Sequence, residues 1–168
     1  MITPDYVRTM ADYNRWMNDR LYACGDRLSD GQRKSDCGAF FKSLHGTLNH
    51  LLWADTMWLG RFVHGTPLEK PYPKAPLGAL LHEEWAELKA ARASLDEDIA
   101  AWADTLSTEW LAAEFSWYSG LTQSTQTKPA WLLVTHFFNH QTHHRGQATT
   151  ILSQFGIDPG ETDLAFMP

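Results

Sequence analysis

Thr135-His136-Phe137-Phe138-Asn139-His140-Gln141-Thr142-His143-His144-Arg145-Gly146-Gln147 places four of the chain's eight histidines within nine residues. It lies inside an apolar segment from Trp131 to Leu152 whose length and periodicity predict a long helix. On a helix, residues three and four apart share a face, so His140 and His144 stand one above the other. Leu133, Phe137, His140, His144, Gln147 and Ile151 make one stripe, apolar at both ends and imidazole-rich in the middle. The histidines occupy places that core side chains would normally fill. Burying imidazoles costs free energy unless each ring nitrogen has a partner. A divalent metal meets that need, because neutral imidazole is its commonest protein ligand. A hydrogen-bonded histidine pair in the core is the plainer alternative.

The 168-residue length suits one domain, 1–168, with a core that needs no disulfides. Eight Trp, eight Phe and five Tyr make the expected interior aromatic. Fourteen basic against 20 acidic residues give a net charge of −6 with no basic run. Phosphate backbones and anionic lipid call for clustered positive charge, so neither nucleic acid nor a membrane is an expected partner. Met1-Ile2-Thr3-Pro4-Asp5 lacks the basic and apolar regions of a signal peptide, and no apolar run approaches 18 residues. A cytoplasmic location is the expectation. Cys24 and Cys37 fit neither a C-x-x-C motif nor a disulfide framework and read as reduced thiols, Cys24 in the core and Cys37 in a loop.

Thr3-Pro4-Asp5 predicts a helix start, with capping hydroxyl, proline and acid in order. Tyr6, Met10, Tyr13, Met17, Leu21, Cys24 and Leu28 continue one face for some seven turns, and Asn14 and Trp16 lie close to that stripe as packing groups. After a polar linker at 32–36, a second helix is expected from about Ala39 to Val63, apolar on nearly all sides. His50 and Asp55 intrude on its apolar arc, whereas Lys42 and Asn49 fall on its narrow polar strip. His50 is therefore the third candidate ligand, with His45, nearer the polar edge, in reserve. Prolines between His64 and Pro76 predict a loop able to cover one end of a helical array. His64 and His82 read as solvated.

A third helix runs on from Leu81, with Arg92 interrupting its buried seam and expected to reach water, or else a carboxylate such as Asp55. Residues 107–111 suggest a short helical turn, and 115–127, around Gly120, an irregular hairpin. Pro129 opens the fourth helix, which ends near Phe155-Gly156.

Tyr13-Asn14-Arg15-Trp16-Met17-Asn18, Leu48-Asn49-His50-Leu51-Leu52-Trp53-Ala54-Asp55 and Asn139-His140-Gln141-Thr142-His143-His144-Arg145-Gly146-Gln147 resemble the three signatures of the DinB (DinB/YfiT-like) superfamily. The resemblance implies an all-α, four-helix bundle of up-up-down-down type, here with a long hairpin-like insertion between helices three and four. It also implies a homodimer holding a divalent metal through His50, His140 and His144. Zinc is the first choice, with nickel or iron also suited to imidazole. Three ligands leave positions open, as in catalytic sites. A metal-dependent enzyme acting on a small molecule is the expectation, by hydrolysis or by transfer involving a low-molecular-weight thiol. The alternative is a non-catalytic metal-binding or stress-response protein that binds a small ligand or partner. His136 and His143 exceed the motif and read as supporting donors, alternative ligands or surface groups. Gln147 is placed to orient a ligand, Asn139 to bond nearby backbone, and Gly146 to admit a neighbouring helix.

Overall fold

The computed structural model describes residues 1–73, 75–76 and 78–168. Among these the chain is mostly helical with one small sheet, in the order α1 (Pro4–Gly25), α2 (Asp30–Lys34), α3 (Leu44–Phe62), α4 (Trp85–Thr105), α5 (Thr108–Ala112), β1 (Glu114–Ser119), β2 (Ser124–Pro129), α6 (Ala130–Gln154) and a 3-10 turn at Leu164–Phe166. The four long helices form a closed ring of neighbours: α1 packs on α4 and α6, and α3 packs on the same two from the other side. Leu21, Leu44, Leu48, Leu59, Leu88, Ile99, Phe137 and Phe138 are among the side chains enclosed between them.

Several helix boundaries differ from the expectation. Thr3 caps α1 as predicted, its side chain accepting from the Tyr6 amide, but the helix stops at Gly25 instead of Leu28. Trp85 decides the place: a Cβ on Gly25 would lie 2.6 Å from its ring, and its indole N–H donates to Asp26 at 2.8 Å. Part of the expected polar linker is helical, because Ser29 and Gln32 form a reciprocal capping box at the start of α2. Helix α3 begins five residues later than about Ala39. Ser43 caps it by accepting from the Gly46 amide at 3.0 Å, and Lys42 before it sits at φ +66° in a tight turn bridged to Ala39. Lys42 is therefore outside the helix whose polar strip it was expected to mark.

Helix α4 likewise begins at Trp85 and not at Leu81, and Asn49 is the reason. Asn49 was expected on a polar strip, yet it is 0% exposed. Its side-chain oxygen accepts from the amides of Leu81 and His82 at 2.9 and 3.0 Å, and its amide donates to the carbonyls of His45 and His82. A buried asparagine that uses all its valences holds this segment extended along α3. The loop reading of His64 to Pro76 holds for the described positions, and at Lys74 it lies outside the described residues.

The hairpin at 115–127 is present, β1 pairing antiparallel with β2 from Glu114↔Pro129 to Ser119↔Ser124. It turns through 120–123 and feeds α6 directly. Pro129 stands just before the first residue of that helix, and Gly156 at φ +70° follows its end. Cys24 is buried, Cys37 half-buried, and both are free thiols.

Arg92 does not reach water. It is 2% exposed and donates to Asp55 of α3 at 2.7 Å, while lying 2.8 Å from Asp96 on its own helix. Asp96 also accepts from Asn14 and Asn18 of α1, at 2.7 and 3.0 Å. Arg145 of α6 donates to Asn14 at 2.6 Å. One buried polar network thus touches all four long helices, with Arg92 between two carboxylates and Arg145 on the Asn14 side chain. Snorkelling is displaced because both acids lie inside the ring, within reach of the buried guanidinium. Removing one member of a buried pair leaves the other charge unpaired. Arg92→Met is expected to lower unfolding free energy by about 3–5 kcal/mol. Lys89→Ala, which breaks a half-exposed pair with Asp26, should cost less than about 1 kcal/mol. Urea denaturation of the two variants measures the contrast.

Candidate metal centre

Helix α6 presents His140 and His144 one turn apart, and α3 brings His50 against them. One ring nitrogen from each of the three histidines lies within 4.8 Å of the others. His50 Nε2 is 3.2 Å from His140 Nε2. Ring centres are 4.5 Å apart for His140 and His144, and 4.6 Å for His50 and His144.

The donor set suits a cation. Gln147 accepts from His144 Nδ1 at 2.8 Å through its side-chain oxygen, and its amide reaches His143 Nε2 at 3.3 Å. With its proton held on Nδ1, His144 keeps a lone pair on Nε2. Converging lone pairs repel unless a proton or cation lies between them. At 3.2 Å the Nε2 atoms of His50 and His140 are close enough to share a proton or to face one ion. Burial opposes protonation here. It lowers His50 to about 4, with the charge of His144 adding to the effect. His140 falls to about 3 for the same reasons, burial first and then the neighbouring imidazoles. His144 is lowered too, chiefly by burial. The rings are thus neutral near pH 7, the form a metal requires.

Aromatic rings hold His50 in place. Phe41 stacks on it with centres 3.8 Å apart and planes 18° apart, and Trp53 stacks at 5.7 Å and 25°. Phe41 reads from sequence as one more apolar helical residue. It instead lies in the turn before α3, and its carbonyl passes so near the helix that a Cβ on Gly46 would meet it at 2.3 Å. Gly46, and not Gly146, is where neighbouring backbone comes close. Gly146 is exposed, and a Cβ there would meet nothing within 4 Å.

The remaining histidines stand apart. His45 was expected near a polar edge but is buried, its Nε2 2.9 Å from the His82 carbonyl, which removes it from the cluster. His82 is half-buried, not freely solvated, because its backbone is bound to Asn49 and His45. His64 is exposed as expected and bonds Glu69. His143 is exposed, its ring edge-on to that of His144 with centres 4.8 Å apart and its Nε2 3.3 Å from the Gln147 amide. His136 is exposed, its ring centre 5.9 Å from that of His140. Asn139 is exposed on the outer side of α6.

The DinB family profile matches residues 1–168. The chain belongs to the DinB family. No curated protein matches it. A three-histidine cluster able to hold a metal ion accords with a metal-binding DinB protein. Among the described residues, no helix is long and apolar enough to cross a membrane.

Gly46→Ala should lower stability by about 1–3 kcal/mol, because the Phe41 carbonyl has to move. Gly146→Ala should be neutral or add up to about 1 kcal/mol of helix propensity. Chemical denaturation of the two variants compares them. A second prediction concerns pH. In the metal-free protein, folded His50 and His140 titrate below the ordinary 6.5 of histidine. Between about pH 6.5 and 4 the unfolded chain therefore binds more protons than the folded one. Stability falls as pH drops through that window and is fully present above it. Melting temperature followed from pH 7.5 to 4.5 should decline, and the decline should be shallower in His140→Ala.

Proposed function

We propose that this chain is a divalent-metal protein in which His50, His140 and His144 are the ligands and the remaining positions on the ion are open to a small molecule. What carries this reading is the meeting of one nitrogen from each of three neutral imidazoles, supplied by two helices 90 residues apart in sequence, within 4.8 Å. On the same reading the chain is a single domain, 1–168, folded as an up-up-down-down four-helix bundle. The hairpin is an insertion between its third and fourth long helices. It works as a cytoplasmic homodimer.

The function that follows is that of a metal-dependent enzyme acting on a small molecule, by hydrolysis or by thiol-dependent transfer. Zinc is the ion of choice, nickel and iron being the other imidazole-compatible candidates. A bound ion of this kind supplies Lewis acidity, enough to acidify water, polarise a carbonyl or hold a thiolate. The chain's own part is positional. Gln147 fixes the tautomer of His144, as outer partners of metal-bound histidines commonly do. Phe41 and Trp53 cover the faces of His50 and keep water from it.

Elemental analysis of protein purified without a histidine tag should find about one ion per chain. His50→Ala and His140→Ala should fall well below that, while His64→Ala and His82→Ala should keep it. Ion content unchanged in both ligand variants would sink the assignment. The metal-replete protein, screened against hydrolysis and thiol-conjugation substrates, should lose its rate in His144→Ala. Equal rates would leave a non-catalytic metal-binding protein.

A further inference from the structure

A cleft of about 680 Å³ runs along α3 beside the histidine cluster, between that helix, the segment around Tyr72 and strand β1. That is the size of a small-molecule site. Its walls are aromatic, with Trp53, Tyr72, Phe115 and Trp117 facing it and Met57 alongside. Two of these rings are fixed by hydrogen bonds, Trp53 to the Ala75 carbonyl at 2.7 Å and Tyr72 to Asp98 at 3.2 Å.

The charges around the cleft are unevenly committed. Lys70 pairs with Asp98, and the two oxygens of Glu69 are taken by His64 Nδ1 and the Gly65 amide, each at 2.8 Å. Arg61 is half-buried and has no carboxylate partner among the described residues. Its guanidinium carbon lies over Trp58, 4.7 Å from the ring centre. Burial lowers its pKa, the sign of a cation poorly compensated by its surroundings. A planar guanidinium held this way offers a fork of N–H donors suited to a carboxylate.

We propose that this cleft binds a planar aromatic carboxylate, its ring against Trp53, Tyr72 and Trp117 and its carboxylate on Arg61. Aromatic walls select the flat ring, and the unpaired cation selects the charge. Trp53 is both a wall of the cleft and the ring stacked on His50, so the ligand sits one indole away from the histidine cluster. That the ligand is the substrate rests on the proposed metal centre. That it binds does not.

Calorimetric titration of 2-naphthoate and of the neutral 2-naphthamide into metal-free and zinc-loaded protein tests the idea. The acid should bind at least about tenfold more tightly than the amide in both forms. Arg61→Met should abolish that preference, and Arg61→Lys should restore part of it. No binding of the acid, equal affinities for acid and amide, or an unchanged preference in Arg61→Met overturns the proposal. If Arg61→Met fails to fold, the comparison of acid with amide in the unaltered protein decides alone. Acid binding that requires zinc and ignores Arg61→Met places the anion on the ion, which sinks the cleft and spares the metal centre. Binding that needs Arg61 in a protein unable to retain zinc sinks the metal centre and upholds the cleft.

Discussion

Charge buried between helices is the constraint on which the rest of the molecule depends. Arg92 joins α4 to Asp55 of α3, Asp96 of α4 takes Asn14 and Asn18 of α1, and Arg145 joins α6 to the same Asn14. Leucine contacts tolerate small slips between helices, whereas a buried guanidinium displaced from its carboxylates is left as an unpaired charge. The network therefore ties α3 to α6 through α4 and α1 and sets their register. His50 lies five residues from Asp55, and His140 and His144 lie within five of Arg145. The histidines meet because helices carrying them cannot slide.

Around that fixed register, α3 carries a continuous face. His50, Trp53, Met57 and Arg61 follow one another at helical spacing, from the imidazole cluster into the aromatic cleft. Trp53 belongs to both. The turn before α3 contributes Phe41 from the other side of His50, an approach that requires Gly46 to have no side chain. Segments outside the long helices thus shape the surroundings of the cluster: the 39–43 turn, the strap held by Asn49, and the hairpin that brings in Phe115 and Trp117.

Much of this was legible from residue order. Periodicity gave four long helices and put His50, His140 and His144 on inward faces, because a 3-4 repeat records which side of a helix is buried, while β-forming residues around Gly120 gave the hairpin. Start and stop chemistry was legible where it is local, as at Thr3-Pro4 and Phe155-Gly156. What the tertiary structure decided were features that depend on groups distant in sequence. Asn49 and His45 looked like a polar edge, yet both are buried against residue 82, whose arrival no pattern within α3 announces. Arg92 could satisfy itself in water or on Asp55, and only the packing of α4 on α3 chose the acid. Gly146 looked like the point of close approach, but a Cβ there would meet nothing, whereas one on Gly46 would strike the Phe41 carbonyl in a nearby turn that the helical repeat did not foresee. Sequence determines which face each helix turns inward, since that is a property of the helix itself. Which side chain meets which across the interior is fixed by the packed whole.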